Sequence, residues 1–457
     1  MRRLLPSFPL LLLAFPAGLA AQTSRVSVAT GGIQADAKSE RASISSDARF
    51  VVFGSDATNL VAGDFNFVRD VFVHDRQTGT TKLISVSTAG GNANGQSIRP
   101  VVSAAGRFVA FQSDASNLVA GDFNLIGDIF LRDRLNQTTV RVSVSTAGLE
   151  GNGFSTRPAL SADGRFVAYR SGASNLVAGD TNLADDIFVR DTQLGTTVRV
   201  SVSSLGAQAN GPSDRPAISD DGRFVGFWSD ASNLVPGDTN FARDIFVFDL
   251  QTGQIVRASI STAGVESNGA SSRPSLSFDG RFIAFRSLGS TLVPGDANNV
   301  QDVFVRDLVA GTTEIVSIDS SELPANGPSS VPSISDDGRF VAFRSTANNL
   351  VFEDTNNSED VFVRDRTNKK TFRVSVSSSN TQADASSSRP SVDATGTVIA
   401  FQGVPTNLVP GDTNLVKDIF VRDGLPPSGG PSLHPGIGTK GKRKILTNPP
   451  SLPRRHL

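Results

Sequence analysis

Short hydrophobic runs return along this chain with a fixed spacing of 58 residues. Each run follows an Arg-Phe step and continues with small, β-branched and aromatic residues. The step occurs at Arg49, Arg107, Arg165, Arg223, Arg281 and Arg339, and a divergent seventh copy follows at Thr397 and Val398. A fixed period of this length is typical of solenoids, propellers and arrays. Because no insertion separates the copies, we treat the repeats as one object rather than as several domains.

Each repeat contains four short runs with strand character. In the third repeat they span residues 158–161, 166–169, 187–189 and 198–202. The runs are rich in β-branched and aromatic residues and are bounded by Gly, Asn, Asp and Ser, which is typical of strands joined by turns. No helical periodicity interrupts them. Four strands repeated seven times predict an all-β, seven-bladed β-propeller with four-stranded blades.

The two ends of the repeat region predict a closed ring. The fourth-strand motif Arg-Val-Ser-Val occurs before the first repeat, at residues 25–28, and does not follow the last third-strand run at residues 419–421. We therefore predict that an N-terminal strand, residues 25–30, completes the last blade. Closure of this kind removes the unpaired strand edges that an open array would expose.

The termini differ in composition from the repeats. Residues 1–21 combine Arg2 and Arg3, an apolar stretch and a small-residue region, which predicts a secretory signal peptide. The apolar stretch is too short to span a membrane. We expect a secreted monomer (periplasmic, cell-surface or extracellular) with the propeller at residues 22–424. Residues 425–457 are rich in Pro and Gly and then basic, which predicts a disordered tail.

Composition excludes several classes of function. The chain has no cysteine, which excludes structural thiolate zinc sites and a cysteine nucleophile. Eight of the 43 basic residues lie in the two termini, so 35 basic residues face 44 acidic ones in the repeats, a net charge near −9. Nucleic-acid binding requires a basic face, so we expect no nucleic-acid partner.

The connections between strands sort into two faces. The first-to-second connection is a tight turn such as Asp163-Gly164, and the third-to-fourth connection is also short. The second-to-third connection (residues 172–185) and the connection to the next repeat (203–214) are long. Because neighbouring strands run antiparallel, both long connections lie on one face, here called the long-loop face. Function usually resides in loops carried by a rigid scaffold, so we expect the binding site there.

An Asp-x-Asn-x-x-x-Asp pattern recurs in all seven second-to-third loops. Oxygen ligands at alternate positions suit calcium, which takes six to eight oxygens, so the pattern is a candidate calcium site. Alternatively, these side chains bond the loop backbone as Asx turns and cap the third strand. The candidate residues are Asp64, Asn66, Asp70, Asp122, Asn124, Asp128, Asp180, Asn182, Asp186, Asp238, Asn240, Asp244, Asp296, Asn298, Asp302, Asp354, Asn356, Asp360, Asp412, Asn414 and Asp418.

A second repeated position predicts a ring of charge. An arginine stands at the start of six first strands, at Arg41, Arg99, Arg157, Arg215, Arg273 and Arg389, and Val331 takes this place in the remaining repeat. First strands line the channel of a propeller, so these side chains should crowd its mouth and could hold a carboxylate or phosphate ligand. The alternative is that each arginine is neutralised by a repeated aspartate.

Catalytic residues are not apparent. His74 is the sole histidine within the repeats, and it supports neither a Ser–His–Asp triad nor a histidine metal site. Paired carboxylates remain for acid–base chemistry, but nothing distinguishes one pair. We therefore predict a non-enzymatic protein.

The repeat resembles that of TolB-type, WD-repeat-like propellers. The segment Ser-Asp-Asp-Gly-Arg-Phe-Val-Ala-Phe at residues 335–343, with Asp-Val-Phe-Val-Arg-Asp at 360–365, carries the resemblance, which extends over residues 25–423. It implies a secreted bacterial propeller that acts as a protein-binding scaffold in the cell envelope. The alternatives are a calcium-dependent carbohydrate-binding propeller and a polysaccharide lyase or hydrolase, so the partner is a protein or a glycan.

Overall fold

The computed structural model describes residues 21–425, which form seven four-stranded antiparallel sheets and no helix. The prediction of a seven-bladed β-propeller is therefore confirmed. The predicted signal peptide and the predicted disordered tail lie outside the described residues, apart from Ala21 and Leu425. Within the described part of the chain, no helix is long and apolar enough to cross a membrane.

Each blade runs from an innermost first strand to an outermost fourth strand. The first strands of blades 1 to 7 are β2 (Ser39–Ile44), β6 (Ser97–Val102), β10 (Ser155–Leu160), β14 (Ser213–Ile218), β18 (Ser271–Leu276), β22 (Ser329–Ile334) and β26 (Ser387–Val392). The second strands are β3 (Phe50–Ser55), β7 (Phe108–Ser113), β11 (Phe166–Ser171), β15 (Phe224–Ser229), β19 (Phe282–Ser287), β23 (Phe340–Ser345) and β27 (Val398–Gly403). The third strands are β4 (Asp70–Asp75), β8 (Asp128–Asp133), β12 (Asp186–Asp191), β16 (Asp244–Asp249), β20 (Asp302–Asp307), β24 (Asp360–Asp365) and β28 (Asp418–Asp423). The fourth strands are β5 (Thr80–Leu83), β9 (Thr138–Arg141), β13 (Thr196–Arg199), β17 (Ile255–Arg257), β21 (Thr312–Ile315), β25 (Lys370–Arg373) and, for blade 7, β1 (Gln22–Arg25).

The N-terminal strand closes the ring, but its predicted bounds are wrong. Strand β1 covers Gln22–Arg25, not residues 25–30, and pairs antiparallel with β28. The ladder ends early because the Ser27 hydroxyl accepts a hydrogen bond from the Ile419 amide and donates to Asp418. A side chain here takes the partner that a strand carbonyl would otherwise use. The same serine position ends every fourth strand, so the predicted 198–202 run is a strand only at Thr196–Arg199.

The repeated aromatic residues form the core. An aromatic residue of each second strand packs beside one of the third strand, with ring centroids 5.7–6.1 Å apart. Seven hydrophobic clusters each combine residues of two adjacent blades. Burial between blades, rather than within one sheet, therefore stabilises the ring.

The seam between blades 7 and 1 explains why the last repeat diverges. In six blades a turn glycine with positive φ lies against the phenylalanine of the preceding blade, and an added Cβ would come within 2.0–2.6 Å of that ring. Blade 1 instead has Ala48 at this position, with φ 58°. The facing residue of blade 7 is Val398, which is smaller than phenylalanine and packs in the same cluster. The smaller Val398 thus leaves space for the methyl group of Ala48.

Candidate functional site

A central cavity of about 430 Å³ runs along the propeller axis and is lined by the seven first strands. Its walls are built from the Pro and small apolar residues that follow each arginine, and the arginines stand at one end. The strands rise about 3.3 Å per residue, so the arginines lie roughly 15 Å from the turns that follow the strands. The arginine end opens on the long-loop face.

The opposite end of the cavity narrows at a floor made of main chain. The residues that follow the first strands form a closed circuit of seven backbone hydrogen bonds of 3.0–3.2 Å. Ser46 donates to Ala104, for example, and Ala394 donates back to Ser46. Because every blade contributes one link, the floor satisfies backbone groups that would otherwise be unpaired in the channel.

A β-bulge directs each arginine into the cavity. The pairing between first and second strands shifts register at the same point in all seven blades. The residue at the shift is the arginine, or Val331 in blade 6, and its φ lies between 53° and 61°. Left-handed backbone costs a residue with a Cβ about 1–2 kcal/mol. Strain of this kind, repeated in every blade, is typical of functional sites.

The six arginines face one another, and most lack a counter-ion. Arg41 Nε lies 3.8 Å from Glu40, and Arg157 Nε lies 2.9 Å from Asp214. The other four guanidinium groups form no ion pair or hydrogen bond with a residue in the described range: Arg99, Arg215, Arg273 and Arg389. The alternative predicted that an aspartate neutralises each arginine. Among the six ring arginines, this holds for Arg157.

Electrostatic repulsion within the ring is visible in the pKa values. Burial, and then the neighbouring guanidinium groups, lower the pKa of Arg99, Arg215 and Arg273. A guanidinium group remains protonated in proteins. The lowered pKa therefore expresses the free-energy cost of holding like charges in a half-buried ring, and an anion in the cavity would relieve that cost.

Three second-strand arginines lie beside the ring, in blades 3, 5 and 6, and the sequence reasoning did not single them out as site residues: Arg170, Arg286 and Arg344. The Nε atom of Arg286 donates to Ser272 at 2.7 Å, and its Nη1 atom donates to Ser330, the neighbour of Val331. Arg344 pairs with Glu359 at 2.6 Å. Arginine at this second-strand position in only some repeats was the available signal.

Two carboxyl groups at the floor were also missed. Asp220 and Asp336 line the cavity at positions where most repeats have a small residue. Burial, and then the charge of Asp336, raise the pKa of Asp220 to about 7. The doubled Asp-Asp before the turn glycine, in these two repeats alone, was the signal.

The candidate calcium loops have the hydrogen bonds of Asx turns. In every blade the asparagine Oδ1 atom accepts from the amide two residues later at 2.9–3.2 Å. Its Nδ2 atom donates to the last aspartate of the motif at 2.7–3.1 Å. The asparagine therefore turns a nitrogen, not an oxygen, towards that carboxylate. Calcium coordination by these loops stays a prediction.

An arginine from the fourth strand joins the two aspartates in five blades. Its Nη1 atom lies 2.9–3.1 Å from the first aspartate and 3.3–3.9 Å from the last. Blades 1 and 5 have Leu83 and Ile315 at this position. Burial and the Asp70 charge raise the pKa of Asp64 to about 6, and burial raises the pKa of Asp122 to about 6 even beside Arg141. The five arginines are Arg25, Arg141, Arg199, Arg257 and Arg373.

No family model matches the chain, and no curated protein matches it. Among solved structures, it is similar to an oligogalacturonate lyase in complex with manganese, with 14% identity, coverage of 90% of this chain and 95% of that chain, and a TM-score of 0.53. It is also similar to the β-propeller domain of the trilobed protease from Pyrococcus furiosus, with 10% identity, 86% and 99% coverage, and a TM-score of 0.52. A putative TolB from Agrobacterium tumefaciens matches with 16% identity, 61% and 80% coverage, and a TM-score of 0.38. At these identities the likeness concerns the fold alone, and the matches with TM-scores above 0.5 support a β-propeller.

Proposed function

We propose that this chain is a secreted, non-enzymatic propeller scaffold that binds an acidic protein segment through its long-loop face. Carboxylate groups of the partner enter the central cavity and pair with the arginine ring. One observation carries the proposal: six guanidinium groups converge on one cavity, and four of them lack a partner among the described residues. The proposed secretion rests on the signal-peptide pattern of the sequence.

The geometry suits acidic ligands for two reasons. Guanidinium groups bind carboxylates through two parallel hydrogen bonds, so a ring of them accepts several carboxylates in different orientations. A cleft with low-dielectric walls also concentrates the field of its charges, which raises the rate at which anions arrive. The acidic body around the cavity, near −9 in net charge, confines this attraction to the entrance.

The groups near the cavity do not form a recognisable catalytic set. His74, the one histidine in the described range, is buried in blade 1 and bonded to Thr81 at 2.9 Å. It does not line the cavity. A binding role therefore requires fewer assumptions than catalysis.

Calorimetric titration with a poly-glutamate peptide tests the proposal. Replacing Arg215, Arg273 and Arg389 with Gln should weaken binding at least about tenfold, because each lost charge-assisted bond contributes about 1.5–3 kcal/mol. The matched control replaces Lys82, Lys369 and Lys370 with Gln, which removes the same charge from exposed positions outside the cavity. Equal affinity in wild type and the arginine variant would refute the proposal. Selective binding of an acidic oligosaccharide would redirect it to a glycan partner.

A second candidate function is calcium-dependent carbohydrate binding, and one observation favours it. In blades 1 and 5 the place of the arginine cation is taken by an apolar side chain, so Asp64 and Asp70 share a buried loop without a counter-ion. A thermal melt at low salt, with and without chelator, tests this reading. Bound calcium must raise the midpoint by mass action, so an unchanged midpoint would eliminate it.

A further inference from the structure

A crown of exposed apolar side chains surrounds the cavity entrance. The residue after the motif asparagine is apolar in five blades, and its side chain is 78–98% exposed. Two of these blades add a second exposed aromatic residue, Phe65 or Phe123. None of the five belongs to a hydrophobic cluster of the core. We call the five residues the apolar crown: Phe67, Leu125, Leu183, Phe241 and Leu415.

The backbone conformation at the crown positions is energetically unfavourable for these side chains. All five residues have φ between 52° and 56°, in the left-handed region that bulky side chains avoid. The equivalent residues of blades 5 and 6 are Asn299 and Asn357, and asparagine tolerates this conformation. The fold therefore accepts asparagine, which suits this backbone conformation better, yet five blades have Phe or Leu. Five residues thus adopt an unfavourable backbone conformation without contacts in the fold that would offset its cost. This points to a role in binding another molecule.

The crown residues come from consecutive blades. They lie on blades 7, 1, 2, 3 and 4, which are neighbours in the closed propeller. Blades 5 and 6 have Asn299 and Asn357 at the equivalent position. The long-loop face thus combines an apolar arc on five blades with the arginine ring of the central cavity. Exposed apolar patches of this extent mark interaction sites.

The charges of the molecule indicate which kind of partner binds to such a surface. A second copy in the same orientation would bring two arginine rings together, and like charges oppose that contact. The C-terminal segment carries six basic residues after residue 423 and no acidic one, so the ring repels it as well. A flat anionic bilayer would meet a body with a net charge near −9 and could not reach guanidinium groups inside a cavity. A folded or extended acidic protein segment satisfies both features.

We infer that the apolar crown is the docking surface for a protein partner whose acidic segment alternates with apolar side chains. This inference rests on the proposed function and deepens it. The carboxylates of the partner enter the arginine ring of the central cavity, and its apolar side chains cover the crown on blades 7 to 4. Burial of several apolar side chains then supplies affinity that charge alone does not.

The test compares two twelve-residue peptides of equal charge, one alternating Glu with Phe and one alternating Glu with Ser. Wild type should bind the Glu-Phe peptide at least about tenfold more tightly, because each Phe buried on the crown removes apolar surface from water. A variant with all five crown residues changed to Asn should show no preference. The control carries Leu135→Asn and Leu194→Asn, two exposed residues on the opposite face, and should keep the preference.

The outcomes separate this inference from the proposed function. If neither peptide binds, both fail. Equal binding of the two peptides by wild type, or a preference that survives in the five-Asn variant, overturns the crown alone. Vesicles of phosphatidylcholine and phosphatidylglycerol that bind wild type but not the variant would identify a membrane surface instead. Self-association of wild type that the variant abolishes would identify a second copy of the chain.

Discussion

The seam between blades 7 and 1 offers a sharp test of ring closure. Ala48 of blade 1 faces Val398 of blade 7, where the other six blades pair a glycine with a phenylalanine. Val398→Phe should therefore be destabilising, because the new ring would meet the Ala48 methyl group. The double variant Ala48→Gly with Val398→Phe recreates the pair of the other blades and should recover most of the loss.

The magnitude follows from the geometry of the six regular blades. A Cβ at their turn glycines would lie 2.0–2.6 Å from a ring atom, well inside van der Waals contact. Overpacking of this kind costs about 1–3 kcal/mol. Ala48→Gly alone relieves about 1 kcal/mol of left-handed strain. It loses about 0.8 kcal/mol of methyl burial and about 0.4–1 kcal/mol through the more flexible unfolded chain. The single glycine variant should thus change stability little, while the two substitutions couple by about 1–3 kcal/mol.

Urea denaturation measures the free energies of all four proteins. Trp228, the sole tryptophan, is 8% exposed in the folded chain and provides the fluorescence signal. Independent sites add to within about 0.5 kcal/mol, so a larger coupling demonstrates contact across the seam. Strict additivity would contradict the packing of blade 1 against blade 7, and with it the closed ring.

Three further predictions address the charged and strained positions. Leu83→Arg should stabilise the protein by about 1–2 kcal/mol in urea denaturation by pairing the buried aspartates of blade 1, and an unchanged or lower stability would contradict their lack of a counter-ion. Asp220 keeps its proton up to about pH 7 in the folded state, so wild-type stability should fall as pH rises from about 4 through 7. Asp220→Asn should remove the part of that dependence that Asp220 causes and add up to about 4 kcal/mol at pH 8, since one pKa unit corresponds to about 1.4 kcal/mol; parallel pH profiles would refute the raised pKa. Phe241→Asn should stabilise by about 1 kcal/mol and Asn299→Phe destabilise by as much, whereas a loss in the first variant would show that Phe241 packs on the fold.

The architecture was predictable because its signals are local. Turn glycines, β-branched runs and the position of the missing fourth strand act within a few residues, and their period predicted seven blades closed by the N-terminal strand. The bounds of that strand were not predictable by alternation. Ser27 continues the alternating pattern, but its hydroxyl replaces the ladder bond and ends the strand at Arg25.

The sequence predicted where the candidate site lies, but not whether its arginines are neutralised. Arginines at the start of the innermost strands do line the cavity, as the repeat indicated. Their neutralisation depended on which acids lie nearby in the folded chain. The repeated acids already pair elsewhere: Asp180 with Arg199 at 2.9 Å, and Asp191 with Arg165 at 2.7 Å. The left-handed bulge was also hidden, because a following proline disfavours the right-handed helical region without indicating the left-handed one.

The most direct test of the central claim is the affinity of poly-glutamate for wild type and for the variant in which Arg215, Arg273 and Arg389 are Gln, measured over a series of salt concentrations. Wild type should bind with an affinity that falls as salt rises, since screening weakens charge pairing. The arginine variant should bind at least about tenfold more weakly at low salt, because it loses several charge-assisted bonds. Equal affinities and equal salt dependence in the two proteins would contradict a functional arginine ring.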